Sequence, residues 1–331
     1  MFCFFFLLAA VLGVSGCSGQ AAPSASSVDP SSFAPPSLPS PESFRSLDVC
    51  ALLPASELMK RSPGTQVTGT ELTQTPLTCG VEFIPAASPL ATAGAPADSG
   101  KPTGLLVYAE TDQRPADLLQ QKSPDVELKA VPGGVLLSRS GGGGACLPIK
   151  GISQTGFIIG IFSSALHTPP ECTFAMAAAE LALENLGKSV PEVSWTAGSL
   201  FSQDLCAAVD KAGIVRQVGL VGPFVARADH RDCHGVAGNG VQTIDLGSSI
   251  SDGAPSGSGY NSETVAGHEI RSNHGAGTCF VYAIYGTDPE LQKRAGPQAL
   301  EVVRMTVGGV GVSASCQPYV DALGAVVKAL G

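Results

Sequence analysis

The apolar positions near the C-terminus recur every three or four residues. Val320, Leu323, Val326, Val327 and Leu330 fall on one stripe, which predicts an amphipathic helix over 315–330. An alanine-rich stretch predicts a second helix over 170–186, since alanine gives up little freedom on entering a helix. Elsewhere short apolar, β-branched runs bounded by Gly, Pro and Ser read as strands: 78–83, 104–109, 134–138, 145–150 and 156–162, then 218–227, 268–271, 277–285 and 299–307. Pro54 suits the first turn of a short helix over 54–60. Strands that follow one another without intervening helices predict an α+β fold with an antiparallel sheet, opened and closed by helices, rather than alternating βαβ units.

That pattern occurs twice. One copy opens Ser46-Leu47-Asp48-Val49-Cys50-Ala51 and the other Ser202-Gln203-Asp204-Leu205-Cys206-Ala207. Asp48 or Ser46, and Asp204 or Ser202, can cap the helix that follows. An apolar residue stands eight places after each Cys, at Leu58 and Ile214. Cys172 is followed at +14 and +15 by Leu186-Gly187, and Cys316 by Leu330-Gly331. Two similar α+β domains are expected, over 47–190 and 201–331, joined by a linker at 191–200. That linker region carries Trp195, the only tryptophan, expected to pack at the seam between the domains.

The N-terminal pattern is different. Residues 2–14 are an uninterrupted apolar run of 13, shorter than the roughly 20 a membrane-spanning helix needs, and read as the core of an export signal covering 1–16. No Lys or Arg precedes Phe2, so either the start lies upstream of Met1 or the signal is atypical. Val14-Ser15-Gly16-Cys17 resembles the bacterial lipobox. That resemblance implies cleavage before Cys17 and acylation of its thiol and new amino group, enough acyl chain for stable anchoring. Residues 17–46 are almost all Ser, Pro, Ala and Gly, and read as a disordered stalk behind the lipidated cysteine.

Beyond Cys3 and Cys17 there remain Cys50, Cys79, Cys146, Cys172, Cys206, Cys233, Cys279 and Cys316. Eight cysteines in an exported chain favour a disulfide framework. First-to-second and third-to-fourth pairing within each domain is expected, each bond contributing roughly 3–4 kcal/mol in the chain-entropy picture. The sequence leaves other connectivities open. Metal binding is the rival, but no short Cys-x-x-Cys-type pair is present.

Charge narrows the function. Lys and Arg number 19 against 28 Asp and Glu, a net −9, which excludes a nucleic-acid binder built on bulk positive charge. Charged residues are 14 % and hydrophobic ones 44 %, so neither a coiled coil nor a wholly disordered chain fits.

Candidate chemistry is sparse. His230 and His234 stand four apart in Asp229-His230-Arg231-Asp232-Cys233-His234, and His268 and His274 follow. On a helix the first two could share a zinc ion; on a strand they would lie ~13 Å apart. With Cys233 expected in a disulfide, solvated or structural histidines are the better reading. His268-Glu269 lacks the second histidine of a zincin motif, since Ser272 occupies its place. Gly141-Gly142-Gly143-Gly144 lacks the Gly-Lys-Ser/Thr of a phosphate-binding loop. No Gly-x-Ser-x-Gly or Ser-x-x-Lys motif occurs. Asp288 and Glu290 fall on a Pro-containing turn that reads as solvated surface. No catalytic residue, cofactor or metal is expected, and the chain reads as a non-enzyme.

These features together resemble a group of actinobacterial lipoproteins of unknown function, with a lipobox, a Ser/Pro/Ala stalk, an Asp-x-Cys-Ala-Leu-Leu opening and a Cys-bearing Ala-rich closing helix. The matching residues are Val14 to Cys17, Asp48-Val49-Cys50-Ala51-Leu52-Leu53, Cys79, Cys146 and Glu171-Cys172, then Asp204-Leu205-Cys206, Cys233, Cys279 and Cys316; the second copy has Ala208-Val209 where the first has Leu52-Leu53. The two-disulfide unit is also similar to the extracellular sensor domains of mycobacterial serine/threonine kinases, which implies a ligand-binding cleft. The expectation is a binding or sensing lipoprotein on the extracytoplasmic face of the cell membrane, its ligand an envelope lipid or glycan. Low charge and many small residues favour an apolar or glycan ligand over a strongly ionic one. The alternatives are a structural envelope protein with protein partners only, or a metal-dependent hydrolase using His230, His234 and His268.

Overall fold

A computed structural model describes residues 33–34, 36–85, 102–120, 126–139, 149–162, 169–220, 222–236, 242–257, 259–309, 312 and 315–331. The export signal, Cys17, most of the stalk, Cys146 and the glycine run at 141–144 lie outside these residues.

The first unit runs α1 (Pro41–Ser46), a 3-10 turn at Cys50–Leu52, α2 (Ala55–Arg61), β1 (Gln66–Thr73), β2 (Thr75–Ile84), β3 (Thr103–Glu110), α3 (Pro115–Gln120), β4 (Val126–Val131), β5 (Gly134–Arg139), β6 (Ile149–Ser153), β7 (Ile158–Phe162) and α4 (Pro169–Lys188). The second runs from a 3-10 turn at Leu200–Ser202 through α5 (Leu205–Ala212), β8 (Val225–Ala226), β9 (Asp232–Val236), β10 (Thr243–Asp252), β11 (Asn261–Val265), β12 (His268–Gly275), β13 (Thr278–Gly286), α6 (Pro289–Ala295), β14 (Ala299–Gly308) and α7 (Gln317–Leu330).

Each unit is one seven-stranded antiparallel sheet, with orders β1-β2-β3-β7-β6-β5-β4 and β8-β9-β10-β14-β13-β12-β11. Every strand of the second sheet holds the place of the strand seven before it in the first. The fold is therefore α+β and duplicated.

Each unit has its own core. In the first, one face of the sheet (Val81, Phe83, Leu105, Val107, Ile159, Ile161) packs against α4 through Phe174, Ala178 and Leu181. In the second, Leu246, Val281, Met305 and Val307 pack against α5 and α7 through Val209, Val320, Leu323 and Val327. Burying aliphatic side chains of this size contributes about 1.5–3 kcal/mol apiece. Leu58 and Ile214, the repeated apolar position, are fully buried in their respective cores.

Disulfides join Cys50 to Cys79, Cys206 to Cys233 and Cys279 to Cys316. The first two tie the opening turn or helix to equivalent strands β2 and β9, as the spacing predicts. Cys172 is also disulfide-bonded; its expected partner, Cys146, is outside the described residues.

Four expectations need correction. Residues 41–46, read as stalk, form α1, with Ser40 capping Ser43 N–H and Phe44 wholly buried in the first core. Of the strand expected at 218–227, the described residues form only the two-residue β8 and a single bridge at Leu220, because Gly219 turns with φ +74° and Gly222-Pro223 follows. Asp288 is fully buried, not solvated: it caps α6 through the N–H groups of Glu290 and Leu291. Finally, whereas β9 agrees with the strand read around Cys233, β1, β4, β10 and β11 were not expected. Their exposed positions carry Thr, Ser, Glu, Asp and Asn, which mask the apolar alternation.

Candidate functional site at the seam

The two units meet along a hydrogen-bonded wall. Arg231, only 2 % exposed, donates from Nη2 to the carbonyls of Arg45 (2.6 Å) and Phe201 (2.6 Å) and from Nε to Phe201 O (3.2 Å). Trp195 Nε1 donates to the same Arg45 carbonyl at 3.0 Å, and its ring packs on Phe201. The linker tryptophan thus joins the first unit to the second. Thr196 binds the Asp288 carboxylate through both its N–H and its hydroxyl. Backbone contacts complete the wall, with Ile250 N–H donating to Gln74 O (2.8 Å) and Ala228 N–H to Thr111 O (3.3 Å).

Three recesses adjoin where this wall opens, and Arg227 lines all of them. A chamber of ≈ 120 Å³ lies between Thr75, Pro76, Leu77 and Thr111 of the first unit and Arg227, Asp229, Arg231, Asp232 and Ser248 of the second. A recess of ≈ 310 Å³ leads from Asp232 past Asp245 to Arg304 and Thr306. A groove of ≈ 720 Å³ runs between the loop at 111–114 and β8, reaching His234 and Asp245. Arg227 and Asp112, one from each unit, pair at 2.8 Å. A further seam recess of ≈ 360 Å³ is lined by Asp48, Glu290 and Arg294, whose charges are committed to one another.

Burial sets the electrostatics. It raises the Asp232 carboxyl to about 7, with the charge of Asp229 adding to the effect. It raises Asp229 as well, against the pull of Arg231, and lowers the Arg231 guanidinium to about 10. Asp112 is raised by burial although Arg227 opposes this. Charged groups in such a setting lack full compensation, the condition under which sites bind polar ligands.

The solvent-side face of the second sheet continues the site. One register row crosses it as Asp232 (β9), Gly247 (β10), Arg304 (β14), Tyr282 (β13), Arg271 (β12) and Ser262 (β11). The next row carries His234, Asp245, Thr306, Phe280 and Asn273. Gly247 is glycine for a steric reason: a Cβ there would collide with Asp232 Oδ1, which lies over the strand.

The equivalent row in the first sheet is Thr78, Tyr108, Gly160, Lys150, Leu137 and Leu128. There the Tyr108 ring covers Gly160, and α3 seats Leu118 against Leu137, Ile152 and Ile158. Among the described residues the second unit has no helix between β10 and β11. The same fold thus presents a face covered by a helix in one unit and, in the other, a polar face of Asp, Arg, His and Tyr on which Tyr260 packs against Tyr282 and Arg271 donates to the Pro255 carbonyl.

The structure separates the histidines. His230 Nδ1 lies 2.7 Å from Asp204 Oδ2, and His234 Nδ1 lies 2.7 Å from Asp245 Oδ1. His268 bonds the Ile284 carbonyl at 3.3 Å and stacks on Tyr285. Among the described residues no group of three or more His, Cys, Asp or Glu could hold a metal ion. Of the hydrolase candidates only His234 lines the groove. Arg227, Arg231, Asp232, Ser248 and Arg304 were missed. A signal existed: residues 227–232 carry four charges and a histidine in a chain otherwise poor in charge.

Comparison with protein-family models, curated proteins and solved structures finds no match for this chain. No helix among the described residues is long and apolar enough to cross a membrane.

Proposed function

We propose that this protein is a lipid-anchored, extracytoplasmic binding module of the cell envelope, and that it binds glycan on the outer face of its second sheet and in the adjoining seam recesses. The observation in favour is the polar register row Asp232–Gly247–Arg304–Tyr282–Arg271, over which no helix lies among the described residues, set against its helix-covered counterpart in the first unit. Carboxylates and guanidinium groups pair well with adjacent hydroxyls, and tyrosine rings suit the C–H faces of sugars. A lipid tail would need a deep apolar pocket; the two smaller recesses are lined chiefly by Asp, Arg, Thr and Ser, and the groove, although Leu38, Val225, Ala226 and Ala228 line part of it, is open to solvent. Anchoring through Cys17 rests on the lipobox resemblance and on the short apolar run ahead of it.

Gentle extraction from membranes followed by intact-protein mass spectrometry tests both parts. The expected result is an acyl-bearing N-terminal Cys17 and a co-purified adduct of sugar mass, lost on Arg304→Ala. A bare, unacylated chain at its calculated mass would refute the proposal, and an adduct indifferent to Arg304→Ala would place the binding elsewhere.

A further inference from the structure

The polar row on the second sheet is not uniform. At its far end Tyr260 packs on Tyr282, and Arg271 is engaged by Glu269 and the Pro255 carbonyl. In the next row His234 takes up Asp245. The stretch Asp232–Gly247–Arg304 differs. Among the described residues the Asp232 carboxyl forms neither hydrogen bond nor ion pair; it only feels the charges of its neighbours, Arg304 among them. Arg304 is exposed and likewise has no partner among the described residues.

Gly247 sets the space between the two. Where a Cβ would stand on it, Asp232 Oδ1 comes in from one side and Arg304 Nη2, 3.8 Å away, from the other. An acceptor and a donor thus overhang the same bare Cα without satisfying one another. Both border the ≈ 310 Å³ recess, whose walls include Asp245, Leu246 and Thr306. That volume is at the lower end of the roughly 300–1,000 Å³ of small-molecule sites, and suits a single ring.

The two tips define the ligand. A carboxyl oxygen calls for a donor and a guanidinium for an acceptor. A group that bridges them must offer both, a short way apart. Two hydroxyls on adjacent ring carbons do so, one accepting from Arg304 and the other donating to Asp232. Burial and the Asp229 charge hold a proton on Asp232 up to about 7, but its carboxyl keeps an accepting oxygen in either state. A ligand carboxylate would answer Arg304 yet face Asp232 and Asp245, and an ammonium would answer Asp232 yet face Arg304.

We infer that Asp232 and Arg304, set on either side of Gly247, grip two adjacent hydroxyls of one sugar ring, and that Gly247 is the specificity-determining position that keeps the space between them open. This rests on the glycan-binding reading above and narrows it to a ring with a vicinal diol, held at the seam end of the row.

Saturation-transfer NMR on the full-length chain in lauryldimethylamine oxide micelles, which contain no sugar, tests the pairing. The probes are methyl α-D-glucopyranoside, methyl α-D-mannopyranoside and methyl β-D-galactopyranoside, with 2-methoxytetrahydropyran as the same ring stripped of hydroxyls. Transfer to at least one glycoside and none to the stripped ring is expected, saturating in the millimolar range. Arg304→Met, at an exposed position, weakens binding about tenfold, and Asp232→Ala does the same. Gly247→Ala keeps both polar groups but sets a methyl against Asp232 Oδ1, and lowers binding at least as far; should it unfold the chain, the other two variants carry the comparison. No transfer to any glycoside, equal transfer to the stripped ring, or binding unchanged in Arg304→Met or in Asp232→Ala overturns the pairing. If the co-purified adduct is lost on Arg304→Ala but survives Asp232→Ala, the glycan-binding reading stands and the diol assignment alone falls.

Discussion

Arg294 closes both of its terminal nitrogens on the carboxylate of Asp48, 246 residues earlier, and so joins the second unit to the first. Asp48 Oδ1 also accepts the Ala51 N–H at 3.1 Å, capping the turn that carries Cys50. Burial opposes the Asp48 charge, but Arg294 and the capping N–H groups outweigh it and hold the carboxyl below its usual range. Its counterpart Asp204 caps α5 through Ala207 N–H at 2.8 Å and lies 3.8 Å from Arg45 Nη1. Each Asp of the repeated motif therefore caps its own helix or turn and meets an arginine packed against it from across the seam.

Arg294→Met leaves Asp48 in a site where its side chain is 7 % exposed without a counter-charge. A loss of about 2–4 kcal/mol is expected. Combining Arg294→Met with Asp48→Asn restores part of it, because the stranded charge is gone. Urea unfolding of the two single variants and the double variant measures the coupling; strictly additive losses would contradict it.

The stability of the protein depends on pH through Asp232. Its folded carboxyl is raised to about 7 by burial, while in the unfolded chain it titrates near about 4. Between those values the folded form keeps a proton that the unfolded form has released. The contribution is therefore full below about pH 4 and lost as the pH rises through about 7. Asp232→Asn removes this loss, so its stability relative to the native protein rises between about pH 5 and about pH 8, by on the order of 2 kcal/mol. Thermal melts at the two pH values check this; a constant difference would count against it.

The Cys206–Cys233 and Cys50–Cys79 bonds close loops of nearly equal span, with separations of 27 and 29. Replacing either pair with serine is expected to lower stability by roughly 3 kcal/mol. Guanidinium unfolding of the two double variants should give similar losses, and a loss in only one unit would show that the duplication is not energetically symmetric.

Two hairpin turns carry a removable strain. Ala266-Gly267 and Ala276-Gly277 link β11 to β12 and β12 to β13, and both alanines adopt positive φ, +54° and +50°. Asparagine tolerates this region better than alanine, since its short polar side chain bonds locally. Ala266→Asn and Ala276→Asn are each expected to stabilise by about 0.5–1 kcal/mol, visible as a higher Tm for each.

Much of the architecture was legible because cysteines and closing helices repeat at matched offsets. Asp48 with Cys50 and Asp204 with Cys206 located both openings; Leu186 and Leu330 located both ends. Strands β10 and β11 were hidden because Asp245 and Glu263 replace the apolar residues that mark a strand when both faces are covered. The same substitution hid the candidate site. Asp229, Arg231 and Asp232 were seen only as the setting of two histidines, because nothing local shows that Phe201, Arg45 and Thr75 fold over them. Asp288 was misread for that reason too: its partner, Thr196, lies 92 residues away.

The Arg45 carbonyl, held at once by Trp195 and Arg231, closes α1. Tension arriving along the chain ahead of Pro36 meets Phe44, set edge-on against Phe157, and then these two bonds. A pull on the chain ahead of Pro36 would thus reach the junction of the two units through Phe44, Trp195 and Arg231.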